Sequence, residues 1–343
     1  MRGVLIVTTS SLARRKEPMR YRTLLIIPVL AISWAVPVAR AGKRTHEPPA
    51  QQVERTTAAN PDVALTVCLG SGSLSVQAWD RNQIRVRSSD GQQIELRRPA
   101  ADSNSGPAKE LALIIGNARS KPGSSCIPFG DIKLDVPREA NLQLQTRDAD
   151  VNVSGVARVN VVTQGGTVHV QRVARVVDIS SIGGTISVQD AKGAIRLHSV
   201  GGSIDARSVA PSAAGDICEI GTVGGDVALA EVAHEQVKVS TVSGDVSFSS
   251  SLAPGGRYSF HAIGGDLSMS LPADSSFRLI ANLGRGGNVD SDFPLRSSSS
   301  AKELSDPVKR HGSGIEHLDA VYGTGDALIN LSYFGGSIQL RKK

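Results

Sequence analysis

Gly165-Gly166-Thr167-Val168-His169-Val170 states a phrase that the chain repeats: two Gly, a small polar residue, a branched aliphatic, a polar residue, an aliphatic. It returns from Gly183, Gly201 and Gly224, as Ser243-Gly244-Asp245-Val246, from Gly264 and Gly286, and as Gly335-Gly336-Ser337-Ile338-Gln339-Leu340. A degenerate copy, Asp148-Ala149-Asp150-Val151-Asn152-Val153, precedes them. With the second Gly of each copy as origin (Ala149 in the degenerate one), successive steps are 17, 18, 18, 23, 19, 21, 22 and 49 residues. Such a unit is the length of a solenoid rung rather than of a domain.

The units align in columns. Two residues after the origin stand Val168, Ile186, Ile204, Val227, Val246, Leu267, Val289 and Ile338; the next residue is His169, Ser187, Asp205, Ala228, Ser247, Ser268, Asp290 or Gln339. This is period two, a strand with one wet face. Seven residues before the origin runs Val159, Val177, Ile195, Cys218, Val237, Tyr258, Ile280 and Ile329, and two places later Val161, Ile179, Leu197, Ile220, Val239, Phe260, Asn282 and Leu331. Each unit therefore holds two short strands, joined at a corner where the Gly pair supplies positive φ with little steric penalty.

One rung cannot bury its own aliphatic face, but rungs stacked about 4.8 Å apart close a narrow core of Val on Val and Ile on Ile. Aromatic residues are only 3% of the chain, which suits a thin β-branched interior and not a wide globular one. The fold expected is all-β: a parallel β-solenoid, β-helix-like, of Gly-Gly-cornered rungs with a less regular β N-terminal cap. Two strands per unit would also serve an antiparallel sandwich.

In chain order, residues 1–41 carry seven Lys or Arg, one Glu, the apolar run Leu24 to Val38 and then Ala39-Arg40-Ala41, the pattern of a signal peptide cleaved after Ala41, with Met19 as an alternative start. Residues 42–61, rich in Pro, Gln and Thr, read as a flexible linker. Residues 62–137 read as the N-terminal cap, 138–292 as the solenoid repeats, 293–314 as an exposed Ser-rich insertion and 315–343 as C-terminal rungs. The whole chain has 38 basic and 32 acidic residues; without the first 41, 31 of each remain. The mature chain is formally neutral, so the overall +6 gives no support to a nucleic-acid partner. No further run is long enough for a membrane span in the mature chain.

Gly72-Ser73-Leu74-Ser75-Val76-Gln77-Ala78-Trp79-Asp80, then Leu134-Asp135-Val136-Pro137-Arg138, the Ser243 to Val246 phrase and the closing Gly335-Gly336-Ser337-Ile338 occur in that order. In this the chain resembles the bacterial putative-adhesin family of unknown function built from β-strand repeats, across about Val63 to Leu340. The resemblance implies an exported cell-envelope β-solenoid without catalysis, and offers no catalytic residues.

Three Cys in an exported chain leave one odd. Cys218 falls in the inward column and reads as a small core thiol; Cys68 and Cys126, both in the cap, are the candidates for a disulfide. Asp226, Asp245 and Asp266 share one column directly after the Gly pairs. Such a stack is the candidate for Ca²⁺ or for the acid and base of a glycan-degrading β-helix enzyme. The favoured reading is that these Asp bond the turn backbone. The seven His, with His169, His198 and His261 in polar columns, read as solvated surface residues. No nucleophile elbow, phosphate-binding loop or zinc spacing occurs.

The expectation is thus an exported protein, periplasmic, cell-surface or secreted, with no enzyme activity, cofactor or metal. Its role would be binding, adhesin-like or structural, toward a protein or polysaccharide ligand. The alternatives are the glycan-degrading enzyme on the Asp column and a periplasmic accessory of envelope-stress signalling.

Overall fold

The computed structural model describes residues 53–89, 91, 93–99, 106–115, 126–284, 287–297 and 316–343. The expected signal peptide, residues 42–52 of the tether, Gly286 and residues 298–314 of the Ser-rich insertion lie outside the described residues. Everything described forms one sheet system of 24 strands joined by turns, with no helix among the described residues.

The rungs stack in parallel and in register, as a solenoid and not a sandwich. Val176–Ser181 pairs with Arg158–Thr163 on one side and Ala194–Ser199 on the other, placing Val159, Val177 and Ile195 in one file. Across the corner, Ile186–Gln189 pairs with Val168–Gln171 and Ile204–Val209, filing Val168, Ile186 and Ile204. These inward residues are fully buried, and each Val or Ile so buried contributes about 1.5–3 kcal/mol. Cys218 takes its place among them, a free buried thiol whose pKa burial pushes up to about 12. Near Phe248 the file turns aromatic, with Phe248 edge-on to Tyr258 and Phe260.

On five successive rungs the last residue of the first strand is a buried hydroxyl, Thr163, Ser181, Ser199, Thr222 and Thr241; Ala262 takes the position on the next. Ser181 and Ser199 Oγ each accept the N–H of the second Gly of their own corner at 2.9 Å, and Thr222 Oγ1 does so at 3.1 Å. The second Gly is required mainly for close approach. A Cβ on Gly202 would lie 2.1 Å from the Gly184 carbonyl oxygen, and one on Gly225 would lie 2.2 Å from that of Gly202. Positive φ, expected at every corner, occurs among the described second glycines only at Gly166, Gly244, Gly265 and Gly336. A further turn comes six residues after the origin, where Arg172, Asp190, Ser208 and Glu231 are all left-handed, with φ of 52–55°.

Both ends depart from sequential stacking. Val53–Trp79 is one long strand, parallel to Asn141–Ser154 on one side and to Ile127–Pro137 on the other. Residues 53–61, expected in the linker, belong to it, because Val53 to Ala58 pair antiparallel with Gln83–Ser88. At the other end Ala327–Tyr333 inserts between Arg257–Ala262 and Phe277–Leu283. Ser337–Lys342 likewise lies between Leu267–Leu271 and Asn288–Ser291. The Gly336 rung therefore follows the Gly265 rung in space, and the Gly287 rung packs outside it. In that outer rung Phe277, Leu279, Ala281 and Leu283 face inward. The columns had put Ile280 and Asn282 there; the link from Leu283 to Val289 differs in length from a regular corner, and the register moves by one. Glu316–Tyr322 then pairs antiparallel against Phe277–Leu283 and closes that side.

Candidate functional site

The site begins at the corners. The residue after each Gly pair points outward, and stacking puts Thr185, Ser203, Asp226, Asp245, Asp266 and Ser337 in one outer file. The carboxylates in this file hold the next rung. Asp245 donates its backbone N–H to Asp226 Oδ1 at 2.9 Å, Asp266 donates its N–H to Asp245 Oδ1 at 2.9 Å, and Ser337 donates its N–H to Asp266 Oδ1 at 2.7 Å. Thr167 repeats the motif on Asp150 at 2.8 Å. The Asp side chains thus bond corner backbone, but of the neighbouring rung instead of their own turn.

Beside this file, small residues on the next outward position leave an open groove of about 430 Å³, lined by Ser203, Asp205, Asp226, Ala228, Asp245, Ser247, Asp266 and Ser268 among others. Of its four carboxylates, Asp205 is paired with Arg207 at 2.8 Å, whereas Asp226, Asp245 and Asp266 have no ion pair among the described residues. The field is negative. Burial first, and then the charges of Asp245 and Asp266, push the Tyr333 phenol far above its ordinary range.

Two chemical readings can be weighed on this geometry. Among the described residues, no three His, Cys, Asp or Glu side chains come close enough to share a metal ion. A glycoside-cleaving pair needs one carboxyl that stays protonated, hence a raised pKa. Asp266 is shifted the other way: the Ser337 N–H and hydroxyl hold its carboxyl below the usual range.

The other singled-out residues lie apart from the groove. Cys68 and Cys126 are joined by a disulfide in the cap. His169 is half-buried, and His198 and His261 are exposed on strand faces. His234 departs from the surface reading. It is fully buried, with Nε2 2.8 Å from the Gly193 carbonyl oxygen. The long step between the Gly202 and Gly225 rungs had marked an irregularity near it, though not its burial. The sequence columns do not include the residue immediately before the Gly pair, which is an exposed aliphatic on five successive rungs, Ile182, Val200, Val223, Val242 and Ile263, and Phe334 on the last. The signal is present in the sequence as a recurring Ile or Val two residues before the origin.

No curated protein matches the chain. Among solved structures it is similar to a putative lipid binding protein from Parabacteroides distasonis, at 12% identity over 84% of this chain and 96% of that one, with a TM-score of 0.41. It is also similar to a putative adhesin from Parabacteroides merdae, at 8% identity over 84% and 95%, TM-score 0.38. A putative adhesin from Parabacteroides distasonis matches at 10% identity over 85% and 97%, TM-score 0.38. No helix of the described residues is long and apolar enough to cross a membrane. The Toastrack DUF4097 family model matches residues 73–330, most of the chain, and the protein belongs to that family.

Proposed function

We propose that this chain is an exported, non-catalytic scaffold of the cell envelope or its exterior that binds another molecule along its stacked strand faces. The observation that carries the reading is the state of the Asp column. Its carboxylates are engaged in holding backbone from rung to rung, so they serve the stack, and the groove beside them is a long, shallow recognition surface. A catalytic cleft instead concentrates groups with opposed pKa values at one point. The basic, apolar, Ala-x-Ala segment of residues 1–41 supports the address, and the Cys68–Cys126 disulfide suits an oxidising compartment.

Cell fractionation with N-terminal sequencing of the recovered protein tests the address. A mature start at Gly42 in the periplasm, on the surface or in the medium is expected. An intact N-terminus in the cytoplasm would sink the reading. Polysaccharide cleavage by purified protein, lost in Asp245→Ala, would replace the scaffold with the glycan-degrading enzyme.

A further inference from the structure

Ile182, Val200, Val223, Val242, Ile263 and Phe334 each stand immediately before a corner and immediately after a buried residue, so each points outward. All six are between 43% and 55% exposed. Strand pairing fixes them in one line, since their predecessors are in register: Ser181 with Ser199, Ser199 with Thr222, Thr222 with Thr241, Thr241 with Ala262, and Ala262 with Tyr333. Backbone bonds continue the stack through the line itself, as Gly201 donates to the Ile182 carbonyl at 2.8 Å and Gly224 to that of Val200 at 2.8 Å. Six rungs at the strand spacing make a ridge about 24 Å long. Side chains half exposed in one strip present roughly 500 Å² of apolar surface, at the upper end of what a monomer shows. The fold does not require them, because the same position is Gln164 on the Gly166 rung.

The surroundings of the ridge are chemically one-sided. Three residues past it, within about 10 Å along the chain, stand Asp226, Asp245 and Asp266 without ion pairs among the described residues. On the opposite flank Asp178, Arg196, Glu219 and Lys238 alternate in sign along one file. Apolar and acidic surface thus run side by side over the same rungs.

We propose that this ridge and its carboxylate file dock a polypeptide segment of another protein, which lays apolar side chains on Val200 to Ile263 and Lys or Arg on Asp226, Asp245 and Asp266. A second copy is the weaker occupant, since a stable interface buries about 800 Å² per partner and the ridge alone falls short. A lipid surface is disfavoured by the carboxylates, which an anionic leaflet repels. The proposal deepens the binding reading above by naming the class of partner.

The test is a titration of purified protein with a labelled alternating Leu-Lys peptide, with alternating Ser-Lys and Leu-Glu peptides as controls. Leu-Lys is expected to bind saturably and more weakly as salt rises, and both controls to bind at least about tenfold more weakly. Val223→Thr with Val242→Thr keeps the β-branched shape, and is expected to lose about tenfold or more at unchanged circular dichroism and melting temperature. Asp226→Asn with Asp245→Asn is expected to weaken binding and remove most of its salt dependence. Equal binding of Ser-Lys, no loss in the Val variant, or no binding at all would overturn the proposal. So would self-association in sedimentation, or uptake on phosphatidylcholine–phosphatidylglycerol vesicles, that disappears in the Val variant. Fractionation and peptide titration read different properties, so a failed address leaves the docking result standing and the reverse also holds.

Discussion

Asp245 Oδ1 accepts the backbone N–H of Asp266 while the N–H of Asp245 is given to Asp226 Oδ1, so one residue is both acceptor and donor in a chain of bonds running along the solenoid axis. Removing the side chain breaks one charge-assisted bond at an exposed corner. Asp245→Ala is expected to lower stability by about 1 kcal/mol and Asp245→Asn by less, since the amide oxygen still accepts. Urea midpoints measure the difference. Added Ca²⁺ is expected to leave the wild-type midpoint where it is, and a clear rise would return the metal to the Asp column.

The same ladder sets an acid limit. Asp266 is held below its ordinary value of 3.8 by the Ser337 N–H, then by the Ser337 hydroxyl. Its contribution is complete above about that pH and is lost as pH falls through the lower folded-state value. Asp266→Asn is expected to flatten this part of the stability profile.

His234 acts in a separate window. Burial lowers its pKa from 6.5, outweighing the opposing effects of the Gly193 carbonyl and Asp216. The unfolded chain therefore takes up a proton first as pH drops through 6.5, and stability declines from there toward the folded-state value. His234→Gln is expected to be less stable at neutral pH yet to show little slope between pH 7 and 5, approximately the window set by an ordinary His. A wild-type curve flat across that interval would refute the assignment.

The two residues of one Gly pair are expected to differ sharply. A Cβ on Gly265 would meet the Gly244 carbonyl oxygen at 2.2 Å at a φ of +93°, whereas one on Gly264 finds nothing nearer than 3.7 Å. Gly265→Ala is expected to destabilise by about 2–3 kcal/mol and Gly264→Ala to stay within about 0.5 kcal/mol. Ser243 already occupies the permissive position on its own rung. Thermal melts of the pair decide the matter.

This asymmetry shows what a column of residues carries. Val168, Ile186 and Ile204 could be assigned to one buried file from spacing alone, because period two fixes which face a side chain takes. The file does not say which rung lies next to which. The Gly287 rung precedes the Gly336 rung in the chain and lies outside it in space, and a hydrophobic pattern is the same in either order. Asn282 was the one polar residue in an inward column, the visible trace of the register shift. His234 left less, since its partner Gly193 is 41 residues away and only the stack brings them together. The ridge recurs just as regularly in the sequence, but an aliphatic at the end of a strand carries the same signature as a core residue, so spacing alone does not mark it as exposed.

The inserted C-terminal strands supply the final prediction. Ala327–Tyr333 is the parallel partner of both Arg257–Ala262 and Phe277–Leu283, and Ser337–Lys342 of both Leu267–Leu271 and Asn288–Ser291, so among the described residues the strands from Phe277 to Ser291 have no parallel pairing to the stack except through these two. In a solenoid whose stability is a sum of rung and neighbour terms, removing an interior rung frees everything beyond it and leaves the rest intact. Deleting residues 327–343 is expected to expose residues 277–297 and 316–322 to protease and to rapid amide exchange. Residues 141–250 should keep their protection. Retained protection at Leu279 and Ala281 would mean that the outer rung docks directly on Tyr258 and Phe260, and that the observed order is not needed for stability.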